Sequence, residues 1–165
     1  MSFDFDYYPH LKRPPRARVM LVVGPPASGK STYVESRMKP GDIILDLDAI
    51  RSEITGKPLY SLHSRSVTEQ AIKIRNKRIE EIQDKAMNGN YLWLILTGGN
   101  TNDRMVWKII LTPYRTIVMR CTPDECIRRI KERQSETEYE QIQAVKKWFA
   151  GFELLANEYV VDTMK

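Results

Sequence analysis

The sequence predicts an α/β protein of three layers, in which a mainly parallel sheet of roughly five strands lies between helices on both faces. Two observations predict this fold class. Short apolar runs rich in β-branched residues recur along the chain, and the segments between them repeat their apolar residues with the period of a helix. Because strands that alternate with helices are joined by crossovers, their sheet is parallel and covered on both faces.

The boundaries of these elements follow from apolar runs and from turn residues. The predicted strands are residues 19–23, 42–46, 91–97, 115–120 and a short final strand at 159–161. The predicted helices are 30–38, 48–54, one between 66 and 88, 103–110, 123–133 and 137–156. In the third of these helices, Ile72, Ile79 and Ile82 lie on one face, which indicates a helix packed against the sheet.

The length and composition indicate one domain. We expect residues 1–17 to be an N-terminal extension and residues 18–165 to form the α/β domain. No segment approaches the roughly 18 apolar residues of a membrane helix, and the first residues lack the pattern of a signal peptide. With two cysteines, Cys121 and Cys126, a disulfide framework is not indicated, so we expect a cytoplasmic protein.

The charge balance favours an anionic partner. The formal net charge is +5 and the isoelectric point is near 9.2. Any enzyme that binds nucleotides needs cations near its site, so this modest excess does not by itself indicate nucleic-acid binding.

A phosphate-binding loop is the most specific motif in the chain. Gly24, four further residues, Gly29, Lys30 and Ser31 complete the pattern G-x-x-x-x-G-K-S between a predicted strand and a predicted helix. Such a loop binds the phosphates of ATP with its backbone amides, while the lysine reaches the β- and γ-phosphates and the serine hydroxyl binds magnesium. The expected contacts to ATP come from Gly24, Ala27, Ser28, Gly29, Lys30, Ser31 and Thr32. The alternative is a glycine turn followed by a chance Gly-Lys-Ser.

Two carboxylates lie at the carboxyl end of the second predicted strand, at the sheet edge where α/β proteins bind ligands. Asp48 is placed to accept the proton of an attacking hydroxyl, and Arg51, one helical turn later, can hold a phosphate of the acceptor. Alternatively, Asp48 only caps its helix and Arg51 is solvated. Asp46 is a candidate to assist magnesium through water, or it satisfies backbone groups at the strand end.

The predicted helix 123–133 is a candidate lid over ATP. Arg129 and Arg133 lie on one face of it, and such a pair can bind a transferring phosphoryl group. The alternative is a solvated face in which Glu125 pairs with Arg129. We assign no role to His63, which lies in a loop. Three aromatic residues could stack on a base but are also typical of a core or of surface cover: Tyr60, Trp107 and Trp148.

Together these motifs resemble the P-loop kinases, in particular the group that includes the bacteriophage polynucleotide 5′-hydroxyl kinases and, more distantly, the zeta-toxin kinases. The resemblance rests on residues 24–31, 48–51, 99–102 and 125–133 and extends over nearly the whole chain after the first dozen and a half residues. It implies that Asp48 is the general base, that Arg51 and Asn100 contact the acceptor, and that Arg129 and Arg133 bind the transferring phosphate.

One turn departs from that family pattern. Where the polynucleotide kinases have an acidic residue before Thr-Asn, this chain has Gly98, Gly99 and Asn100. We expect a kinase that uses ATP and magnesium to phosphorylate a hydroxyl of a polynucleotide 5′ end, a nucleoside or a nucleotide. The alternative is a regulatory module that binds or hydrolyses ATP without phosphorylating an acceptor.

Overall fold

A five-stranded parallel sheet forms the centre of the molecule in a computed structural model, which describes residues 6–164. The strands are β1 (Arg18–Val23), β2 (Ile43–Asp46), β3 (Tyr91–Leu96), β4 (Arg115–Arg120) and β5 (Glu158–Asp162). The helices are α1 (Lys30–Arg37), α2 (Leu47–Thr55), α3 (Arg65–Ile82), α4 (Thr101–Leu111), α5 (Pro123–Arg133) and α6 (Glu138–Gly151). The predicted α/β class, with helices alternating with strands around a parallel sheet, is confirmed.

The order of strands in the sheet is β2-β3-β1-β4-β5, and every neighbouring pair is parallel. Strand β1 therefore lies in the middle, and all of its residues after Arg18 are buried. The parallel arrangement brings the carboxyl ends of all strands to one edge. The loop after β1, the end of β2 and the turn after β3 meet there.

The two faces of the sheet pack against different helices. Alternate residues of β1, among them Leu21, pack with Ile79 of α3, Trp107 of α4 and Trp148 of α6. The residues between them, Met20 and Val22, pack against α1 on the other face. Cys121 and Cys126 are buried free thiols in a third cluster with residues of α5 and α6. Among the residues described, no helix is long and apolar enough to span a membrane.

Two helices end earlier than their sequence patterns predict. Helix α3 stops at Ile82, and the carbonyls of residues 83 and 84 just beyond it accept hydrogen bonds from Arg16, at 2.8 Å from its backbone nitrogen and 3.3 Å from Nη1. Helix α6 stops at Gly151, and Arg104 of α4 donates to the carbonyl of Glu153 in the extended segment that follows. In both places a distant arginine takes carbonyls that a longer helix would use.

Residues 6–17, the described part of the N-terminal extension and here called the N-terminal lead, pack onto α3 and α4. The Tyr8 ring lies 5.1 Å from the Trp107 ring, and its hydroxyl donates to the Asp103 carboxylate. Arg75 of α3 donates to the carbonyl of Tyr7 at 2.6 Å. Residues 1–5 of the predicted extension lie outside the described residues. The part that is described therefore covers α3 and α4.

A single carboxylate fastens the start of β2 to the start of β3. Asp42 accepts hydrogen bonds from the backbone nitrogens of Lys39 and Tyr91, from the Asn90 amide and from the Trp93 indole, at 2.7–3.0 Å. Burial opposes ionisation of this group, but the hydrogen bonds from Asn90, Lys39, Trp93 and Tyr91 outweigh it and lower the pKa of Asp42 to about 2.

We predict that Asp42→Asn lowers the free energy of unfolding at pH 7 but has little effect near pH 2. The pKa of Asp42 is lower in the folded protein than its ordinary value of 3.8. Its ionisation therefore stabilises the fold above about pH 4, and this contribution is lost as the pH falls towards 2. We expect a loss of about 1–3 kcal/mol at pH 7, measured by urea unfolding. Glu35→Gln on the exposed side of α1 is the control, and an equal loss at both pH values would contradict the prediction.

Candidate active site

The loop between β1 and α1 has the geometry of a phosphate cradle. Ala27 and Gly29 adopt left-handed backbone conformations with φ of 63° and 95°, and Gly29 is the N-cap of α1. Helices α2, α3, α4 and α5 all have an N-cap side chain that accepts a backbone hydrogen bond, but α1, like α6, has none. The first amides of α1 therefore stay available for an anion.

Gly24 is the first residue of this loop. Its N–H donates to the carbonyl of Thr97, at the end of β3, at 3.1 Å. A Cβ at Gly24 would lie 2.5 Å from the hydroxyl oxygen of Ser28, a fully buried residue. Because Gly24 has no side chain, the loop can fold closely over itself. Residues 26–32 line a cavity beside the loop.

The ammonium group of Lys30 contacts the backbone of the phosphate loop. Its Nζ donates to the carbonyls of Gly24 at 2.7 Å and Pro25 at 2.9 Å. Burial lowers the pKa of Lys30 to about 8, although the nearby carboxylates of Asp46 and Asp48 act in the opposite direction. A negatively charged ligand in the cradle would favour the protonated form, which is the form that binds phosphate.

The residues predicted to hold magnesium lie next to each other. The Ser31 hydroxyl is 3.5 Å from an Asp46 oxygen, and both residues line the cavity beside the loop. Burial and the nearby charge of Asp48 raise the pKa of Asp46 to about 6, so a cation beside this carboxylate would stabilise its ionised form. Hard oxygen ligands of this kind fit magnesium, which would take its other ligands from phosphates and water.

One cavity of about 610 Å³ joins the phosphate loop to the carboxyl ends of β2 and β3. Asp48 lies in its wall and forms an ion pair with Arg51, and Arg51 also donates to the Thr68 hydroxyl at 3.3 Å. The N-cap of α2 is Asp46, whose side chain accepts from the backbone nitrogen of Asp48 at 3.1 Å. Capping is therefore the task of Asp46, which leaves the Asp48 side chain at the cavity.

The two arginines of α5 take different positions. Arg133 lines the cavity, lies 4.1 Å from the centre of the Tyr60 ring and donates to Gln141 of α6 at 3.1 Å. Arg129 instead donates to the carbonyl of Ala27 in the phosphate loop at 3.1 Å and to that of Thr163 at 2.6 Å, and it pairs with Glu125. Arg133 thus faces the cavity, whereas Arg129 contacts the phosphate loop from outside the cavity lining.

Close packing explains the two glycines in the turn after β3. A Cβ at Gly98 would lie 2.6 Å from Val23, and one at Gly99 would lie 2.5 Å from Trp148. An acidic side chain does not fit at either place. Asn100 caps α4 by accepting from the backbone nitrogen of Asp103 at 3.0 Å, and it is absent from the residues that line the cavity.

Five further residues also line the cavity. The sequence left Tyr60 open as a possible contact to a base and gave His63 no role, and it did not single out Tyr7, Thr68 or Asp103. Asp103 could have been recognised as an acidic residue in the first turn of a helix that follows a strand. Tyr7 and Thr68 carry no such signal, because the packing of the N-terminal lead and of α3 brings them to the site.

Comparison with known proteins agrees with this geometry. Residues 19–153, most of the chain, match the AAA domain family (AAA_33). No curated protein matches the sequence. Among solved structures, a presumed kinase from Chloroflexus aurantiacus J-10-fl is similar, with 21% identity and a TM-score of 0.60 over 89% of this chain and 88% of that one.

Two further structures share the fold. A chain of the Pnkp1/Rnl/Hen1 RNA repair complex has 17% identity and a TM-score of 0.60 over 87% of this chain and 48% of its own length. A gluconokinase from Sinorhizobium meliloti 1021 has 14% identity and a TM-score of 0.50 over 93% and 86%. At these identities the similarity concerns the fold. The family match over residues 19–153, in agreement with the phosphate loop and the parallel sheet, shows that this chain belongs to the AAA domain family.

Proposed function

We propose that this chain is an ATP-dependent phosphotransferase that transfers the γ-phosphoryl group of ATP to a hydroxyl group of an acceptor. One observation carries the proposal. A single cavity is lined both by Gly29 and Lys30 at the uncapped N-terminus of α1 and by the ion-paired Asp48 and Arg51. A donor and an acceptor can therefore meet within one cavity.

The donor half of the site would hold the triphosphate of ATP. The amides of residues 27–31 surround the phosphates, and Lys30 neutralises charge on the β- and γ-phosphates. Ser31 and Asp46 would hold magnesium, which neutralises charge on the phosphates when it is bound. The chain's own task here is to fix the position of the phosphates before transfer.

The acceptor half would supply the base. The carboxylate of Asp48 takes the proton of the acceptor hydroxyl as the oxygen–phosphorus bond forms and the bond to the β-phosphate of the leaving ADP breaks. Arg51 orients this carboxylate through their ion pair and offers a guanidinium to a phosphate of the acceptor. Arg133, held by Tyr60 and Gln141, would stabilise the charge on the transferring group.

The acceptor that we favour is a polynucleotide with a 5′-hydroxyl group or a nucleoside or nucleotide. Arg51 beside Asp48 suits an acceptor that carries a phosphate close to its reacting hydroxyl. The resemblance of the motifs to polynucleotide kinases points the same way. Because structures with this fold include a gluconokinase as well as a chain of an RNA repair complex, a sugar acid belongs among the acceptors to be tested.

We predict that the purified protein transfers labelled phosphate from ATP to at least one acceptor in a panel of 5′-hydroxyl oligonucleotides, nucleosides, nucleotides and gluconate. Lys30→Ala should lower the transfer at least about 100-fold, because it removes the ammonium group from the phosphates. Lys146→Ala, on the exposed side of α6, serves as the control. No transfer to any acceptor by a protein that binds ATP would refute the kinase proposal.

We predict that Asp48→Asn slows phosphoryl transfer by about 10²–10⁴-fold while the affinity for ATP changes little. The amide keeps the shape of the side chain but cannot accept the proton. ATP affinity is measured by calorimetry and transfer by the labelled-phosphate assay, with Asp124→Asn on α5 as a control. An ATP-driven regulatory module would be nearly indifferent to this change, so unaltered function would favour that alternative.

We predict that the two arginines of α5 respond differently to replacement by alanine. Arg133→Ala should lower the maximal rate of transfer by about 10²–10³-fold with a small change in ATP affinity, because Arg133 faces the cavity. Arg129→Ala should mainly weaken ATP binding, because it releases the Ala27 carbonyl and loosens the loop. Steady-state kinetics that show the same pattern for both variants would contradict this division of roles.

A further inference from the structure

One face of the sheet is left partly uncovered at the amino ends of its strands. Helix α1 has only eight residues and packs through Val34 on the face that carries Met20 and Val22. Because side chains alternate along a strand, Arg18 of β1 lies on this same face, and so does Arg115 of β4. By the same alternation Tyr91 of β3 and Tyr159 of β5 lie there too.

These residues form a continuous band of cations and rings. The Arg18 guanidinium lies 4.5 Å from the centre of the Tyr114 ring. Arg115 lies between two rings, at 5.5 Å from Tyr114 and 4.9 Å from Tyr159. The rings of Tyr91 and Tyr114 are nearly parallel, with their centres 6.4 Å apart. Lys39 completes the band at 5.0 Å from the Tyr91 ring. We name the six residues the basic aromatic face: Arg18, Lys39, Tyr91, Tyr114, Arg115 and Tyr159.

The basic aromatic face is open to solvent and its cations are not neutralised. Tyr114 is 48% exposed and Tyr159 is 52% exposed. Within residues 6–164, no carboxylate lies within ion-pairing distance of Arg18, Lys39 or Arg115. Some other arginines are paired in this way, such as Arg78 with Glu53, whereas the exposed Arg37 and Arg120 are not paired within the same residues, but neither of these two belongs to such a cluster of cations and rings. Stable folding does not need three unpaired cations on one surface, so their placement points to an anionic partner.

We infer that the basic aromatic face binds single-stranded nucleic acid. Arginine and lysine can neutralise phosphates along a strand. Unpaired bases can stack on the exposed parts of the tyrosine rings and on the guanidinium planes that lie beside them. Double-stranded nucleic acid has no free base faces for the rings, and an acidic protein would use the cations alone. Sheet faces with aromatic and basic residues bind single strands in other folds.

This surface is separate from the phosphate loop. Arg18 begins β1 and the loop follows its end, which places the two about 20 Å apart along a strand of this length. The inference therefore does not depend on the proposed function. A kinase with a polynucleotide acceptor would gain a second contact to that strand, and a domain without phosphotransfer would still bind it.

The test measures the fluorescence anisotropy of a labelled, 5′-phosphorylated single strand of about 15 nucleotides, which is long enough to cross the face. It uses both the wild-type protein and Lys30→Ala, so that the phosphate loop does not supply the binding. We expect saturable binding by both proteins at low salt. No saturable binding by either protein would overturn the inference, whereas binding without phosphotransfer to any acceptor would overturn only the proposed function.

The double variant R18A/R115A should bind the strand about tenfold more weakly and reduce the slope of log affinity against log salt by about 1.4, the value for two lost phosphate contacts. The matched control K77A/R78A removes the same charge from α3. Equal losses in the two double variants would overturn the assignment of this face. Thermal unfolding of each variant establishes that it is folded.

Tyr114→Ala separates stacking on bases from attraction of any polyanion. We expect it to weaken binding of the strand about tenfold and to leave binding of heparin, which has sulfates but no bases, unchanged. Tyr159→Ala, on the edge strand β5, is the second variant should Tyr114→Ala fail to fold. Equal losses for the strand and for heparin would overturn the assignment to nucleic acid.

Discussion

The central position of β1 in a parallel sheet is the constraint on which the site depends. Strand β1 has a neighbour on each side and is buried on both faces. The loop that follows β1 therefore lies at the middle of the carboxyl edge of the sheet. The turn that follows must be tight, and it opens directly onto the N-terminus of α1. The ends of β2 and β3 lie on the same edge, which brings Asp46 and the turn at Gly98 to the loop.

The packing that surrounds this edge explains residues that otherwise look like departures from a pattern. Gly98 and Gly99 fit against Val23 and Trp148, where a side chain has no room. Arg104 of α4 donates to the Gly98 carbonyl at 2.6 Å and forms a fully buried ion pair with Glu158 at 2.6 Å. Removal of one partner of such a pair leaves an uncompensated buried charge and commonly costs about 3–5 kcal/mol. The turn is thus held by α4 and β5 together.

The charges in the site are arranged for ligands and not for the stability of the free protein. Burial lowers the pKa of Lys30 and raises the pKa of Asp46, so each group is less stable in its charged form than it is in water. Phosphates would stabilise the charged lysine, and a cation would stabilise the carboxylate. Perturbation of this kind, in a cavity beside a helix N-terminus, is typical of functional sites.

The sequence by itself determined the fold class and the phosphate loop. Strands and helices depend on local periodicity, and the loop needs its glycines, lysine and serine at fixed spacing, so both are visible in a short window. The positions of the strands were predicted to within about one residue. The ends of α3 and α6 were not. The backbone just beyond each end is hydrogen-bonded to an arginine that is distant along the chain, Arg16 and Arg104, and no local pattern records such a contact.

Only the tertiary structure decided which side chains share the cavity and which support it. Arg129 and Arg133 are equivalent in the sequence pattern, yet one contacts the Ala27 carbonyl and the other faces the cavity. Tyr7 reaches the site through the fold of the N-terminal lead, and the basic aromatic face arises where α1 is too short to cover the sheet. These arrangements depend on contacts between residues far apart in sequence, and no local pattern records them.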